Sequence, residues 1–182
     1  FDFTMAFDRE VPLLPVFVWF YILAFPFWAV GYLLATRRGK DMFYRFVATD
    51  LTIHFICFIC FILIPTTNIR PEIPGNTLSE KILALVYSLD GGNSPSNLFP
   101  SIHCYVSWMC WKGVEGSEKV PKWYQRFSLV FAILIIISTQ VLKQHYIVDA
   151  AAALLLVEFF WRFYQKGQRH KWVVHVFAHK KK

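Results

Sequence analysis

The sequence has no disulfide framework. Only 4 of its 182 residues are cysteine, and Cys57, Cys60, Cys104 and Cys110 all fall within or beside apolar runs, which leaves no stapled secreted domain to build. A secretory leader pattern is also missing, because the chain opens on Phe1 with Asp2, Asp8 and Glu10 where a leader would carry basic residues and then a small-residue cleavage site. An opening on phenylalanine instead of methionine leaves a sixth span upstream of Phe1 open. There is no internal repeat, and no low-complexity stretch beyond the terminal lysines. Nor is there a continuous basic patch. The net charge is +7, yet Lys and Arg gather at the ends of apolar runs, which is the pattern of membrane topology and argues against nucleic acid as a partner.

What the chain has in excess is apolar surface. Hydrophobic residues make up 56% of it, and 19 are phenylalanine, against roughly 45–50% apolar residues in an ordinary soluble domain. The length suits a single domain over residues 1–182. A helix needs roughly 20 residues to cross about 30 Å of hydrocarbon. Five runs are expected to form spans, at about Leu13–Ala35, Met42–Ile64, Ser101–Gly113, Tyr124–Leu142 and Tyr146–Phe163. The expected fold is therefore an all-α polytopic transmembrane helix bundle. The third run is short, so its Ser101 end is expected below the membrane surface, in a cavity walled by the other helices.

The basic segments assign the sides. Thr36–Lys40, Lys112–Arg126 and the tail from Arg162 fall together on one side of a five-span chain, which makes that side cytoplasmic. The protein is expected as a multi-pass plasma-membrane protein with its site facing the non-cytoplasmic side. The loop 65–100, rich in Pro, Gly, Asn and Ser around an amphipathic stretch at Leu78–Leu89, belongs to that outer side and is expected to contribute to the site. The tail 165–182, with His170, His175 and His179, is expected to meet anionic head groups of membrane lipids.

Three short stretches carry chemistry. In "FPSIH", Ser101 is placed to cap a helix whose first-turn amides face the outer cavity, an anion site within reach of His103. In "KQHYIVD", His145 and Asp149 are four apart on one helix face, and an intramembrane carboxylate needs a partner. A histidine held at one nitrogen offers the other as nucleophile or base. In "IRP", Arg70 can grip a phosphate bidentately, and Lys143 adds a cation near His145. Two histidines, a carboxylate, a helix start and cations describe a phosphoryl-transfer site that calls for no metal and no cofactor.

Arg-Pro, then Pro-Ser-x-His, then His-x-x-x-Asp over successive membrane helices resembles the type 2 phosphatidic acid phosphatase (PAP2) superfamily, from about Pro65 to Leu156. The resemblance implies that His145 is a nucleophile forming a phosphohistidine, that Asp149 orients it, and that His103 is the general acid. It implies that Ser101 and Arg70 bind phosphate oxygens of a lipid phosphate or pyrophosphate substrate. The chain departs from the family pattern at Leu63, where a lysine is usual, at Ser138 and Thr139, where Ser-Arg is usual, and at Ile102, where glycine is usual. Lys143 is the expected replacement for the missing cations. The His-Tyr-x-x-Asp order of His145, Tyr146 and Asp149 is also similar to sphingomyelin and inositol phosphorylceramide synthases, so a head-group transferase using a lipid or sugar hydroxyl stands as the alternative to a hydrolase.

Two other readings compete. Asp50 and His54 are also four apart, with Cys57 and Cys60 following, which allows a metal site in principle but is better explained by interhelical packing near mid-span. A non-catalytic lipid binder or transporter of the same fold would bind the phosphate without turnover. Nothing in the pattern sets an oligomeric state.

Overall fold

The computed structural model describes residues 1–92 and 95–178. Asn93 and Ser94 of the outer loop, and His179 with the closing lysines, lie outside the described residues. Among those described, the structure is all helical. The elements are α1 (Ala6–Glu10), a 3₁₀ turn at Pro15–Phe17, α2 (Val18–Ile22), α3 (Ala24–Ala35), a 3₁₀ turn at Thr36–Arg38, α4 (Lys40–Leu63) and α5 (Leu78–Leu89). They continue with α6 (Ile102–Val114), α7 (Lys122–Val141), α8 (Ile147–Gln165) and α9 (Lys171–Ala178).

Three helical stretches are long and apolar enough to cross a membrane, Pro15–Arg38, Lys40–Leu63 and Lys122–Val141. The other two expected spans form as helices but fall outside that class. α6 has 13 residues, so it is about 20 Å long. α8 has 19 residues and carries Asp149, Glu158 and Arg162 along its length. The first span also differs from the uninterrupted run expected, because it breaks between α2 and α3. Pro26 explains the break: it has no N–H to donate to the carbonyl four residues back, that of Ile22. The chain stays helical across it through Leu23 N–H to Trp19 O at 3.0 Å and Phe27 N–H to Leu23 O at 3.2 Å.

The short helix is the middle of the bundle. α6 packs on α3, α4, α7 and α8, and Cys104, Tyr105, Met109, Cys110 and Val114 are shut away from its surface. In lipid the hydrophobic effect does not drive helices together, so close backbone approach through small residues matters more. Gly31 shows this at the α3–α6 seam, where an added Cβ would sit 2.6 Å from the Cys110 sulfur.

A second packed layer covers the end of the bundle where α6 and α8 begin. Leu83 and Tyr87 of α5 pack with Val18, Tyr21, Val141 and Leu142, and the Tyr87 hydroxyl donates to the Leu142 carbonyl at 2.7 Å. α5 starts at a reciprocal cap, in which Thr77 Oγ1 accepts from Glu80 N–H and the Glu80 carboxylate accepts from Thr77 N–H.

Candidate active site

The starts of α6 and α8 are built against each other. Ser101 caps α6 as expected, its Oγ accepting from Cys104 N–H at 3.3 Å, while its own N–H donates to the Asp149 carbonyl at 3.2 Å. Asp149 in turn caps α8, accepting from Tyr146 N–H at 2.9 Å. The loop before α6 is pinned from the other side, since Thr66 Oγ1 accepts from the N–H groups of both Leu98 and Phe99 at 2.9 Å.

These caps bring the two imidazoles together. His103, in the first turn of α6, and His145, just ahead of α8, have ring centroids 6.0 Å apart and line one cavity of about 250 Å³. His145 Nδ1 lies 3.0 Å from the Leu98 carbonyl. A carbonyl can only accept, so Nδ1 carries the proton in that bond, and in the neutral ring the lone pair is on Nε2. Asp149 Oδ2 is 3.6 Å from the same Nδ1, beyond a hydrogen bond. The expected carboxylate grip on His145 is thus supplied by a backbone carbonyl, with the Asp149 charge standing just behind. His103 is held differently. Tyr21 stacks on it at 4.3 Å, Trp28 lies tilted at 5.1 Å, and Phe25 meets it edge-on at 6.0 Å, while its Nε2 is buried with no partner among the described residues.

The three residues expected to contact substrate phosphate do not line this cavity. Ser101 is fully buried and its hydroxyl is spent on the cap. Arg70 is buried beneath the outer loop, donating to the carbonyls of Asp90 at 2.9 Å and Gly92 at 3.0 Å, to the Asp90 carboxylate and to Gln144 Oε1. Its guanidinium also lies over the Tyr87 ring at 4.6 Å. Lys143 points the other way: its ammonium donates to the carbonyls of Asp8 at 2.7 Å and Val11. Burial holds that ammonium below the ordinary lysine range, offset in part by the Asp8 carboxylate. Lys143 is therefore no spatial replacement for the family's missing cations. Nearness to His145 along the chain did not carry over into space: Lys143 has φ 53°, and its ammonium is held by the N-terminal segment.

Sequence reasoning missed the aromatic wall of Tyr21, Phe25 and Trp28, the acid Asp90 on the cavity rim, and Asp8. Asp8 is 3% exposed and accepts from Ile147 N–H at 2.9 Å, which clamps the start of α8 from the N-terminal segment. None of these carried a local signal, because each acts across a long stretch of chain.

The rival pair comes together with tyrosines, not with metal ligands. Tyr32 donates to Asp50 Oδ1 at 2.6 Å, the Tyr105 hydroxyl meets His54 Nε2 at 2.8 Å, and His54 Nδ1 is 3.7 Å from Asp50. Among the described residues, no group of three or more His, Cys, Asp or Glu side chains stands close enough to hold a metal ion.

The family model described as the PAP2 superfamily matches residues 3–162, which takes in both histidines, both caps and the aromatic wall. The chain belongs to the PAP2 superfamily. That membership, with the long apolar helices, makes it a membrane protein of a superfamily that includes phosphatases, and gives it a general phosphatase-type function. No curated protein and no solved structure matches it.

Proposed function

We propose that this PAP2 protein removes phosphate from a lipid phosphate or pyrophosphate through a phosphohistidine on His145. The observation that carries the reading is the pair of imidazoles 6.0 Å apart across one cavity at the start of a helix. In the first step Nε2 of His145 attacks phosphorus in line, an N–P bond forms, the ester P–O bond breaks, and His103 gives its proton to the departing oxygen. In the second, water attacks phosphorus, the N–P bond breaks, and His103 takes the proton from water. Negative charge developing on the phosphoryl oxygens would meet the first-turn N–H groups of Ile102 and His103, which have no partner within the helix. Ser101 serves them by fixing the turn. Arg70 acts from behind, tying Asp90, which lines the cavity, to Gln144, the neighbour of His145 in the chain.

The basic segments lie at the opposite end of α6 and α8 from this cavity, which supports a site on the non-cytoplasmic side of the membrane. The test is purified protein given a lipid phosphate, with and without a lipid or sugar hydroxyl. Free phosphate from lipid alone, and a phosphoenzyme that is labile to acid and lost in His145→Ala, are the expected results. Consumption of the lipid phosphate only when an acceptor is present, with the phosphoryl group recovered on that hydroxyl and no free phosphate, would replace water by the hydroxyl in the second step and make the protein a transferase. Wild-type turnover in His145→Ala would remove the nucleophile.

A further inference from the structure

One side of α8 carries a groove that the histidine cavity does not use. Ala152, Leu155, Phe159 and Arg162 recur at spacings of three and four, so they form one stripe along the helix, and Lys166 follows just past its end. At the far end of α8 the stripe borders a surface cavity of about 640 Å³, where Leu155, Phe159 and Phe163 provide the apolar wall and Arg162, Lys166 and Arg169 the polar rim. A hollow of about 390 Å³ shares Leu155 and Phe159 and continues past Ala152 toward Pro100, walled by Ile56 and Cys60 of α4.

The positive charge in this groove is not balanced from within. Its one carboxylate among the described residues, Glu158, is already held by the Lys112 ammonium at 2.9 Å and the Trp108 indole N–H at 2.9 Å, with Arg162 only at 3.5 Å. The Arg162 side chain is 78% exposed. Arg169 lies over the Phe163 ring at 4.3 Å, and neither it nor Lys166 forms an ion pair among the described residues. Dimensions point the same way. Ala152 to Arg162 is ten residues, about 15 Å of helix, which is half of a hydrocarbon core of about 30 Å and so the depth of one leaflet.

We propose that this groove holds an anionic glycerophospholipid of the leaflet opposite the histidine cavity, its phosphate against Arg162, Lys166 and Arg169 and an acyl chain along Phe159, Leu155 and Ala152. A basic pocket beside a transmembrane helix is a lipid head-group site by charge. The apolar continuation is what selects a lipid over a free phosphate. The inference is independent of the proposed reaction, because it is read by binding alone.

The test uses the purified full chain in detergent, stripped of lipid and titrated with dioleoylphosphatidylglycerol or dioleoylphosphatidylcholine, with retained lipid counted by native mass spectrometry. Phosphatidylglycerol should be retained at about tenfold lower concentration than phosphatidylcholine. The triple variant R162Q/K166Q/R169Q should lose that preference. A reference variant K119Q/K122Q/R126Q removes equal charge from exposed residues in the α6–α7 connection and the first turns of α7, at the same end of the bundle, and should keep it. Leu155→Trp, which fills the groove and leaves all three cations, should weaken retention, and glycerol 1-phosphate should not compete. Equal retention of the two lipids, equal loss in the reference variant, or competition by glycerol 1-phosphate would each overturn the proposal.

Discussion

The molecule contains two histidine–aspartate pairs of the same spacing, His54 with Asp50 on α4 and His145 with Asp149 at the start of α8, and their geometries are nearly alike. The Nδ1 to carboxylate distances are 3.7 Å and 3.6 Å. In both, the carboxylate makes its better bond elsewhere, Asp50 with the Tyr32 hydroxyl and Asp149 with Tyr146 N–H. In both, the ring does likewise, His54 with the Tyr105 hydroxyl and His145 with the Leu98 carbonyl. What separates them is the company each keeps. The His145 side chain is 9% exposed and faces a second imidazole across a cavity at a helix start, whereas the His54 side chain is 51% exposed and ends in a tyrosine network between helices. The pair alone is therefore not a site. The second imidazole across the cavity is what sets the His145 pair apart and what the proposed reaction uses.

The comparison breaks most sharply at His145. His145→Ala should lower phosphate release from a lipid phosphate by about 10³-fold or more, as loss of a nucleophile does, while His54→Ala should leave it within about twofold. His103→Gln comes next, with a fall of about 10²-fold or more, the scale of general acid–base catalysis. Asp149→Asn keeps an oxygen to cap α8 and takes away the charge behind the ring, so a loss of about tenfold is expected, the scale of a pair whose direct bond is absent. Asp50→Asn should change stability rather than rate, by about 0.6 kcal/mol in a thermal or denaturant melt, the average of an interhelical hydrogen bond in a membrane. The smallest effect is that of a chelator. Activity should persist in excess EDTA, and a loss restored by a divalent ion would place a metal in the reaction after all.

How much of this was legible beforehand follows from range. The Ser101 cap was open to reading because a cap spans three or four residues of sequence, and the bounds of α5 because its amphipathic pattern is local; the Thr77–Glu80 cap at its start went unread. The break at Leu23 had its cause three residues away in Pro26, and the run of apolar residues hid it. Arg70 was read as a free phosphate grip because nothing local announces that Gln144, 74 residues on, will hold it from the other side. The stack of Tyr21 on His103 is of the same kind: an aromatic in an apolar span looks like any other until the fold chooses its neighbour. Sequence pattern thus marked the two histidines that the fold brings to one cavity and left the residues that hold them to the tertiary structure.

The shortness of α6 fixes more than the bundle. A helix of 13 residues that holds His103 at its first turn cannot reach both faces of an ordinary bilayer, so in the proposed reaction the imidazoles would work at a set depth and a phosphate would have to sink, or the lipid to dimple, to meet them. Turnover should consequently respond to the acyl length of the host membrane, rising as shorter chains bring the head-group plane down toward Ser101 and falling as longer ones lift it away.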